Sequence, residues 1–180
     1  MSRLHVDTLR QRARVPLRKA ARQDASDILR EAARQDRRTQ HDVFLSHSHL
    51  DIQAVLGLKT TLEGAGHSVY VDSQSDPQVD PTNVTASTVA LVRRRLDACS
   101  SLLYATSENA ATSKWMAWEL GLGDGLGKRV AIVPVSGMVG ALTAREFLLA
   151  YAQVEEASDT LLVREPGGLL TTFEHWLRAA

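Results

Sequence analysis

The sequence has little of what stabilises secreted proteins or crosses membranes. Cys99 is the only cysteine among 180 residues, so no disulfide can form within the chain, which favours a reducing compartment. No apolar run approaches the eighteen or so residues of a membrane span, and the N-terminus lacks the apolar core of a signal peptide. We therefore expect a cytoplasmic protein without a membrane partner.

The chain also has no net charge, although its charges are unevenly distributed. Residues 1–40 hold eleven Lys or Arg against five Asp or Glu, whereas the remainder holds ten against sixteen. This asymmetry predicts a basic helical extension at 1–40, interrupted near Pro16, and a separate domain at 41–180. Nucleic-acid binding is not expected, because acidic residues interleave with the basic ones and no aromatic residue is available for stacking. We expect the extension to serve packing or assembly and the domain to fold without it.

Several familiar site motifs are missing. There is no Gly-x-Gly-x-x-Gly, no phosphate loop and no Gly-x-Ser-x-Gly elbow. The third predicted strand ends in Ala105 and Thr106, without the Asp that a phospho-acceptor receiver domain needs. His47 and His49 alternate along an extended segment and so point opposite ways, which argues against a shared metal. Cys99 precedes a buried strand, a position more typical of a core residue than of a nucleophile.

From residue 41 onward, short apolar strands alternate with helical segments. The predicted strands are 43–45, 67–72, 101–105, 130–135 and 160–163. The predicted helices cover 52–64 with Asp51 as its cap, about 85–98, a stretch through Trp115 that ends at Gly121, about 143–151 and a final segment to Arg178. This order predicts an α/β fold, a doubly wound parallel sheet of about five strands, with any site at the carboxyl ends of the strands.

Polar residues follow the first three predicted strands. They are Ser46, His47 and Ser48 after the first strand, Asp72 after the second, and 106–113 after the third. The loop at 73–83 is rich in Ser, Asp and Pro, and we expect it to be mobile and to gate the crevice or form subunit contacts. The strand ends therefore predict one polar crevice.

Glu119 stands out in an apolar helix, next to Trp118 and one turn after Trp115. Glu is rarely buried without a partner, and a carboxylate beside an indole is an environment typical of catalytic groups. The i to i+4 spacing puts Trp115 and Glu119 on one face of the helix. A solvent-exposed position is the alternative, but the surrounding helix offers few polar positions to form a solvated face.

Three segments together resemble the Toll/interleukin-1 receptor (TIR) domain: residues 42–48 (DVFLSHS), 69–72 (VYVD) with the polar loop after it, and 113–119 (SKWMAWE). The likeness covers about residues 41–178 and is closest to bacterial TIR proteins of antiviral defence, such as the Thoeris type. It implies a flavodoxin-like fold and cleavage of the nicotinamide–ribose bond of NAD+. The family's catalytic Glu falls on Glu119. Trp115 departs from the pattern, since many relatives have Cys there.

The resemblance also implies a substrate site. Its candidate residues are Phe44, Ser46, His47 and Ser48 from the resemblance, with Asp72, Ser113 and Trp115 added from their places at the strand ends and on the helix. No cofactor or metal is expected, because NAD+ is itself the substrate. The implied partners are further copies of the chain, through TIR–TIR contacts that form a homo-oligomer, and a downstream effector that responds to a nucleotide signal.

The expected chemistry is that of an NAD+ nucleosidase. Departure of nicotinamide leaves a ribosyl cation, which a nearby carboxylate stabilises. Attack by water gives ADP-ribose, and attack by the adenine or a ribose hydroxyl gives a cyclic or rearranged product. Two alternatives stay open: a non-catalytic TIR interaction module, and a nucleoside 2-deoxyribosyltransferase-like enzyme, since residues 117–128 also resemble the helix whose Glu attacks a nucleoside in that family.

Overall fold

A computed structural model describes residues 4–19, 24–25, 27–28, 39–71, 85–135, 146–158 and 160–179. Within these ranges the strands are β1 (His41–Ser46), β2 (Val69–Val71), β3 (Cys99–Thr106), β4 (Arg129–Pro134), β5 (Ala152–Ala157), β6 (Thr160–Arg164) and β7 (Leu170–Thr172). The helices are α1 (Val6–Lys19), α2 (Ile52–Gly64), α3 (Ala86–Asp97), α4 (Lys114–Gly125) and α5 (Phe173–Arg178), with short 3-10 helices at His49–Asp51, Asn109–Thr112 and Glu146–Ala150. Asp72 and the loop at 73–83 lie outside the described residues.

The strands form one sheet in the order β2-β1-β3-β4-β5-β6-β7. The pairs from β2 through β5 are parallel, and this flavodoxin-like order confirms the predicted fold class. The predicted number of strands is wrong, because the described ranges contain seven. Two adjacent glutamates obscure the apolar pattern of β5. Beyond β5, the strands β6 and β7 extend the sheet by antiparallel pairing.

Alternating side chains of each strand separate the core into two layers. Val43 and Leu45 of β1 pack in the cluster that contains α1, α2 and α5, whereas Phe44 packs in the cluster that contains α3 and α4. Since successive strand residues point to opposite faces, Ser46 lies on the same face as Phe44. The pleat therefore aims Ser46 at the layer formed by α3 and α4.

Helix α1 is part of the first layer of the core. Leu4, Leu9 and Ala13 have no exposed surface and join the cluster that includes α2. The helix continues through Pro16 to Lys19, so the predicted interruption is wrong. The boundary at residue 40 and the expectation that the domain folds without the extension both stay predictions, although this packing means that removal of α1 would expose part of the core.

The contact between α1 and α2 depends on a glycine. A Cβ built on Gly57 would lie 1.9 Å from the carbonyl oxygen of Leu9, so the two backbones approach more closely than any side chain at this position allows. Arg12 adds polar contacts, since its Nη1 donates to Thr61 Oγ1 at 3.2 Å and its Nη2 pairs with Glu156 Oε1 at 2.5 Å. These contacts join α1 to both α2 and β5.

Candidate active site

Glu119 belongs to the buried stripe of α4. Met116, Glu119, Leu120 and Gly123 are buried at the i, i+3, i+4, i+7 spacing of one helix face, and Glu119 is only 2% exposed. The carboxylate therefore occupies a position on the sheet-facing side of the helix, where an apolar residue would be the ordinary choice.

The glycines after Glu119 do not end the helix where the sequence predicts. Helix α4 runs past Gly121 to Gly125. Gly123 lies inside it and faces β3, where an added Cβ would come within 3.0 Å of Leu102 Cδ1. Its missing side chain lets α4 lie close to the sheet, and this close packing holds Glu119 near the strand ends.

Ser46 meets Glu119 at the carboxyl end of β1. Its Oγ donates a hydrogen bond of 2.5 Å to Glu119 Oε2, and Ser46 itself has no exposed surface. From β1 the chain adds β2 on one side of the sheet and then crosses to add β3 on the other side. In doubly wound folds, ligands bind in the crevice that forms at such a change of direction. The structure thus brings the two predicted residues together at the expected edge of the sheet.

The other predicted residues have local structural contacts. His47 is 7% exposed with its Nδ1 3.3 Å from the carbonyl oxygen of Leu45, and the side chain of Ser48 accepts from Leu50 N at 3.4 Å in the adjoining 3-10 turn. Ser113 caps α4 by accepting from Met116 N at 3.3 Å. Their roles in substrate binding stay predictions.

The aromatic candidates differ in exposure. Phe44 is fully buried, with its ring centroid 5.4 Å from that of Tyr70, so in this conformation it supports the site from the core. Trp115 is half-buried and meets Trp118 edge to face, with centroids 5.2 Å apart. The Trp pair offers a surface on which a flat ring can pack.

Asp51 is a residue whose role the sequence does not reveal. The prediction that it caps α2 is wrong, since its side chain makes no capping hydrogen bond. It instead accepts from Asn109 Nδ2 at 2.8 Å and from Ser107 Oγ, on the loop that follows β3. These partners lie more than fifty residues away in sequence, and no local pattern predicts them.

Cys99 is a core residue, as expected. Burial raises the pKa of its thiol to about 12, and the Sγ donates to the carbonyl oxygen of Arg95 at 3.2 Å. Within the described ranges, no group of three or more His, Cys, Asp and Glu side chains could hold a metal ion. Among the helices in those ranges, none is long and apolar enough to cross a membrane.

The arrangement suits the stabilisation of a cation. Glu119 is nearly inaccessible to solvent, and electrostatic attraction to a buried carboxylate is stronger than in water. Ser46 restricts the direction in which that carboxylate points.

Comparisons with known proteins place the chain in a family. A profile of the TIR domain matches residues 43–158. The chain is 38% identical over 151 residues to the probable 3' cyclic ADP-D-ribose synthase ThsB' of Bacillus cereus (strain MSX-D12), covering 79% of this chain and 78% of that protein. It is 25% identical over 97 residues to a candidate cyclic ADP-D-ribose synthase, TIR2, of Cytobacillus dafuensis, covering 53% of this chain and 26% of that protein.

Proposed function

Since the chain belongs to the TIR domain family, we propose that it is an enzyme that cleaves the nicotinamide–ribose bond of NAD+ with Glu119 as its catalytic carboxylate. The observation that carries this proposal is the buried Glu119, 2% exposed, held by Ser46 at the crevice end of β1. A protein that serves only as an interaction module has no need of a desolvated carboxylate in that place.

The carboxylate acts on the bond between C1′ of the ribose and the nicotinamide nitrogen. As that bond breaks, its electron pair leaves with nicotinamide and positive charge develops on the ribose. Glu119 stabilises this charge, and the low exposure of the site prevents water from screening the attraction. Trp115 and Trp118 supply a surface against which the nicotinamide or adenine ring can stack.

We favour a cyclic product over ADP-ribose. The names of the two relatives describe cyclic ADP-D-ribose synthases, which supports attack by a group of the substrate itself. In that reaction a hydroxyl or adenine nitrogen of the same molecule bonds to C1′. One NAD+ then gives one nicotinamide, one cyclic ADP-ribose and, when the nucleophile is a hydroxyl, the proton that this hydroxyl releases.

Incubation of the purified chain with NAD+, followed by mass spectrometry, tests this proposal. We expect free nicotinamide and a product lighter than ADP-ribose by one water molecule. ADP-ribose alone would support cleavage and contradict cyclisation. Deoxynucleosides serve as the parallel substrate, because release of base from them would favour the 2-deoxyribosyltransferase alternative. A folded chain that releases nothing from either substrate, alone or concentrated into assemblies, would favour the non-catalytic module.

Ser46→Ala should reduce nicotinamide release about tenfold, which corresponds to about 1.4 kcal/mol of transition-state stabilisation. The change removes the hydrogen bond that Ser46 donates to Glu119 Oε2 and so weakens the restraint on the direction of that carboxylate. Steady-state rates at saturating NAD+ measure the effect.

Ser101→Ala is the matched control for that variant. Ser101 is another buried strand serine, 1% exposed. Its Oγ donates to the carbonyl oxygen of Asp42 near the amino ends of β1 and β3, away from the site. We expect its variant to retain the parent rate. Equal losses in the two variants would show that Ser46 acts only through the stability of the fold.

The biological setting follows from the family resemblance and is part of the proposal. A cyclic nucleotide made in response to infection would act as a signal on a downstream effector, with the chain active as a homo-oligomer in the cytoplasm. The low exposure of Glu119 supports control by assembly, because NAD+ reaches the carboxylate only when neighbouring residues move. The molecular mass of the particles in solution, measured under conditions in which the chain does and does not cleave NAD+, tests the link between assembly and turnover.

A further inference from the structure

The Asp51 carboxylate joins the two loops that border the Glu119 site. It lies directly before α2, where an Asp usually accepts from the first amides of its own helix, yet it makes no such bond. Its oxygens instead accept from Asn109 Nδ2 at 2.8 Å and from Ser107 Oγ. We propose that Asp51 is a positioning residue for the reaction, acting through Ser107 and Asn109; this rests on the proposed function.

Asp51, Ser107 and Asn109, which we call the Asp51 clamp, lie along the chain between Ser46 and Glu119, the two partners of the hydrogen bond in the site. On one side, Asp51 follows Ser46 through a single 3-10 turn, in which the Asp51 amide donates to the carbonyl oxygen of Ser48 at 3.0 Å. A change in the position of Asp51 therefore alters the path of the chain directly after Ser46.

On the other side, the clamp holds the segment that leads into α4. Ser107 Oγ accepts from Ala110 N at 3.1 Å, and Ser113 N donates to the carbonyl oxygen of Ala110 at 3.1 Å. Ser113 is the N-cap of α4, which carries Glu119 less than two turns later. Hydrogen bonds therefore run from Asp51 to the start of the catalytic helix.

This geometry accounts for a carboxylate opposite two donors at position 51. Both its oxygens are occupied by donors from the loop after β3, so one side chain fixes that loop at two points. Ser46 directly precedes the segment that carries Asp51, and Glu119 lies on the helix that follows the segment of Ser107 and Asn109. Small misplacements of catalytic groups can cost large factors in rate. The clamp thus fixes the distance on which the Ser46–Glu119 contact depends.

Swapping the residue types at positions 51 and 109, so that the carboxylate and the amide change places, tests the clamp. Asn109→Asp sets two carboxylates against each other at a contact of 2.8 Å, and should lower kcat about tenfold or more with KM changed less than about threefold. Adding Asp51→Asn restores a donor opposite an acceptor, with Ser107 still able to donate to residue 51. The double variant should return to within about threefold of the parent kcat.

Ala111→Asp is the control for added charge, because it places a carboxylate on the same 3-10 helix at an exposed position. It should leave kcat unchanged. Rates are measured well below the unfolding temperature of every variant, so that a loss of folded protein cannot mimic a loss of positioning. Failure of the double variant to recover, or a kcat loss that merely follows the folded fraction, would overturn the proposal.

Hydrogen exchange supplies a readout that needs no activity. Asn109→Asp should speed exchange at the amides of Ala110 and Met116, and the double variant should slow both again. If the parent protein releases no nicotinamide, the proposed function fails, and exchange alone then decides whether the clamp holds the start of α4. Unchanged exchange at both amides in Asn109→Asp would overturn the clamp whatever the activity.

Discussion

Replacing Glu119 with Gln is expected to lower nicotinamide release from NAD+ by at least about a hundredfold, the loss typical of removing a preorganised electrostatic group. Gln has nearly the same shape as Glu and can still accept from Ser46 Oγ, so the change removes charge and little else. The fold should be retained, because a buried neutral amide costs no more than a buried carboxylate. Single-turnover rates together with thermal unfolding curves measure both effects.

Glu174→Gln is the control for the Glu119 variant. Glu174 is an exposed carboxylate on α5, paired with Arg178 at 3.0 Å, and lines the edge of the sheet opposite to the site. Its replacement should leave the rate unchanged. A folded Glu119→Gln protein that releases nicotinamide at the parent rate would show that Glu119 is structural, and the non-catalytic module would then describe the protein better.

Removal of residues 1–38 is expected to destabilise the domain severely. Burial of a leucine contributes about 1.5–3 kcal/mol, and Leu4 and Leu9 are both fully buried against the core. Their loss alone removes about 3–6 kcal/mol from a domain whose total stability is on the order of 5–15 kcal/mol. Thermal unfolding should therefore shift downward by roughly 10–20 °C or lose its cooperativity. A truncated chain that unfolds as cooperatively and as late as the parent would restore the view of a separable extension.

Gly57→Ala tests the same interface with a single methyl group. The new Cβ would overlap the carbonyl oxygen of Leu9, so α1 must shift, and we expect a loss of about 1–3 kcal/mol or more. Gly64→Ala is the matched control, since Gly64 belongs to the same helix and an added Cβ there meets nothing within 4 Å. That control should be neutral or stabilising by up to about 1 kcal/mol. Equal effects of the two substitutions would contradict the close contact.

The sequence-based predictions are correct where an element depends on residues close together in the chain, and wrong where it depends on residues far apart. Strands such as β3 and β4 were predictable because their apolar runs are local and both faces are covered. β5 was missed because Glu155 and Glu156 break its apolar pattern, although Glu156 is buried beside Arg12. β7 has only three residues, of which Leu170 and Thr172 are exposed, and becomes a strand through its pairing with β6.

The same distinction applies within the candidate site. Glu119 was predictable from its apolar helical surroundings, and Ser46 from its place at the end of a strand. Their hydrogen bond joins residues 73 positions apart and exists because the sheet order puts β1 beneath α4. The Asp51 clamp was not predictable, because a helix cap and a contact across two loops require the same residue type at that position.

The sequence by itself determined the alternation of strands and helices, the edge of the sheet that carries polar residues, and the carboxylate that stands out in α4. Those features depend on neighbours within a few residues, where periodicity and turn chemistry act. Only the tertiary structure decided that α1 belongs to the core, that Ser46 holds Glu119, and that Asp51 joins two loops in place of capping its helix. Each of these depends on the approach of segments far apart in the chain, such as the backbone contact that Gly57 permits, and that approach is set by the packing of the whole sheet.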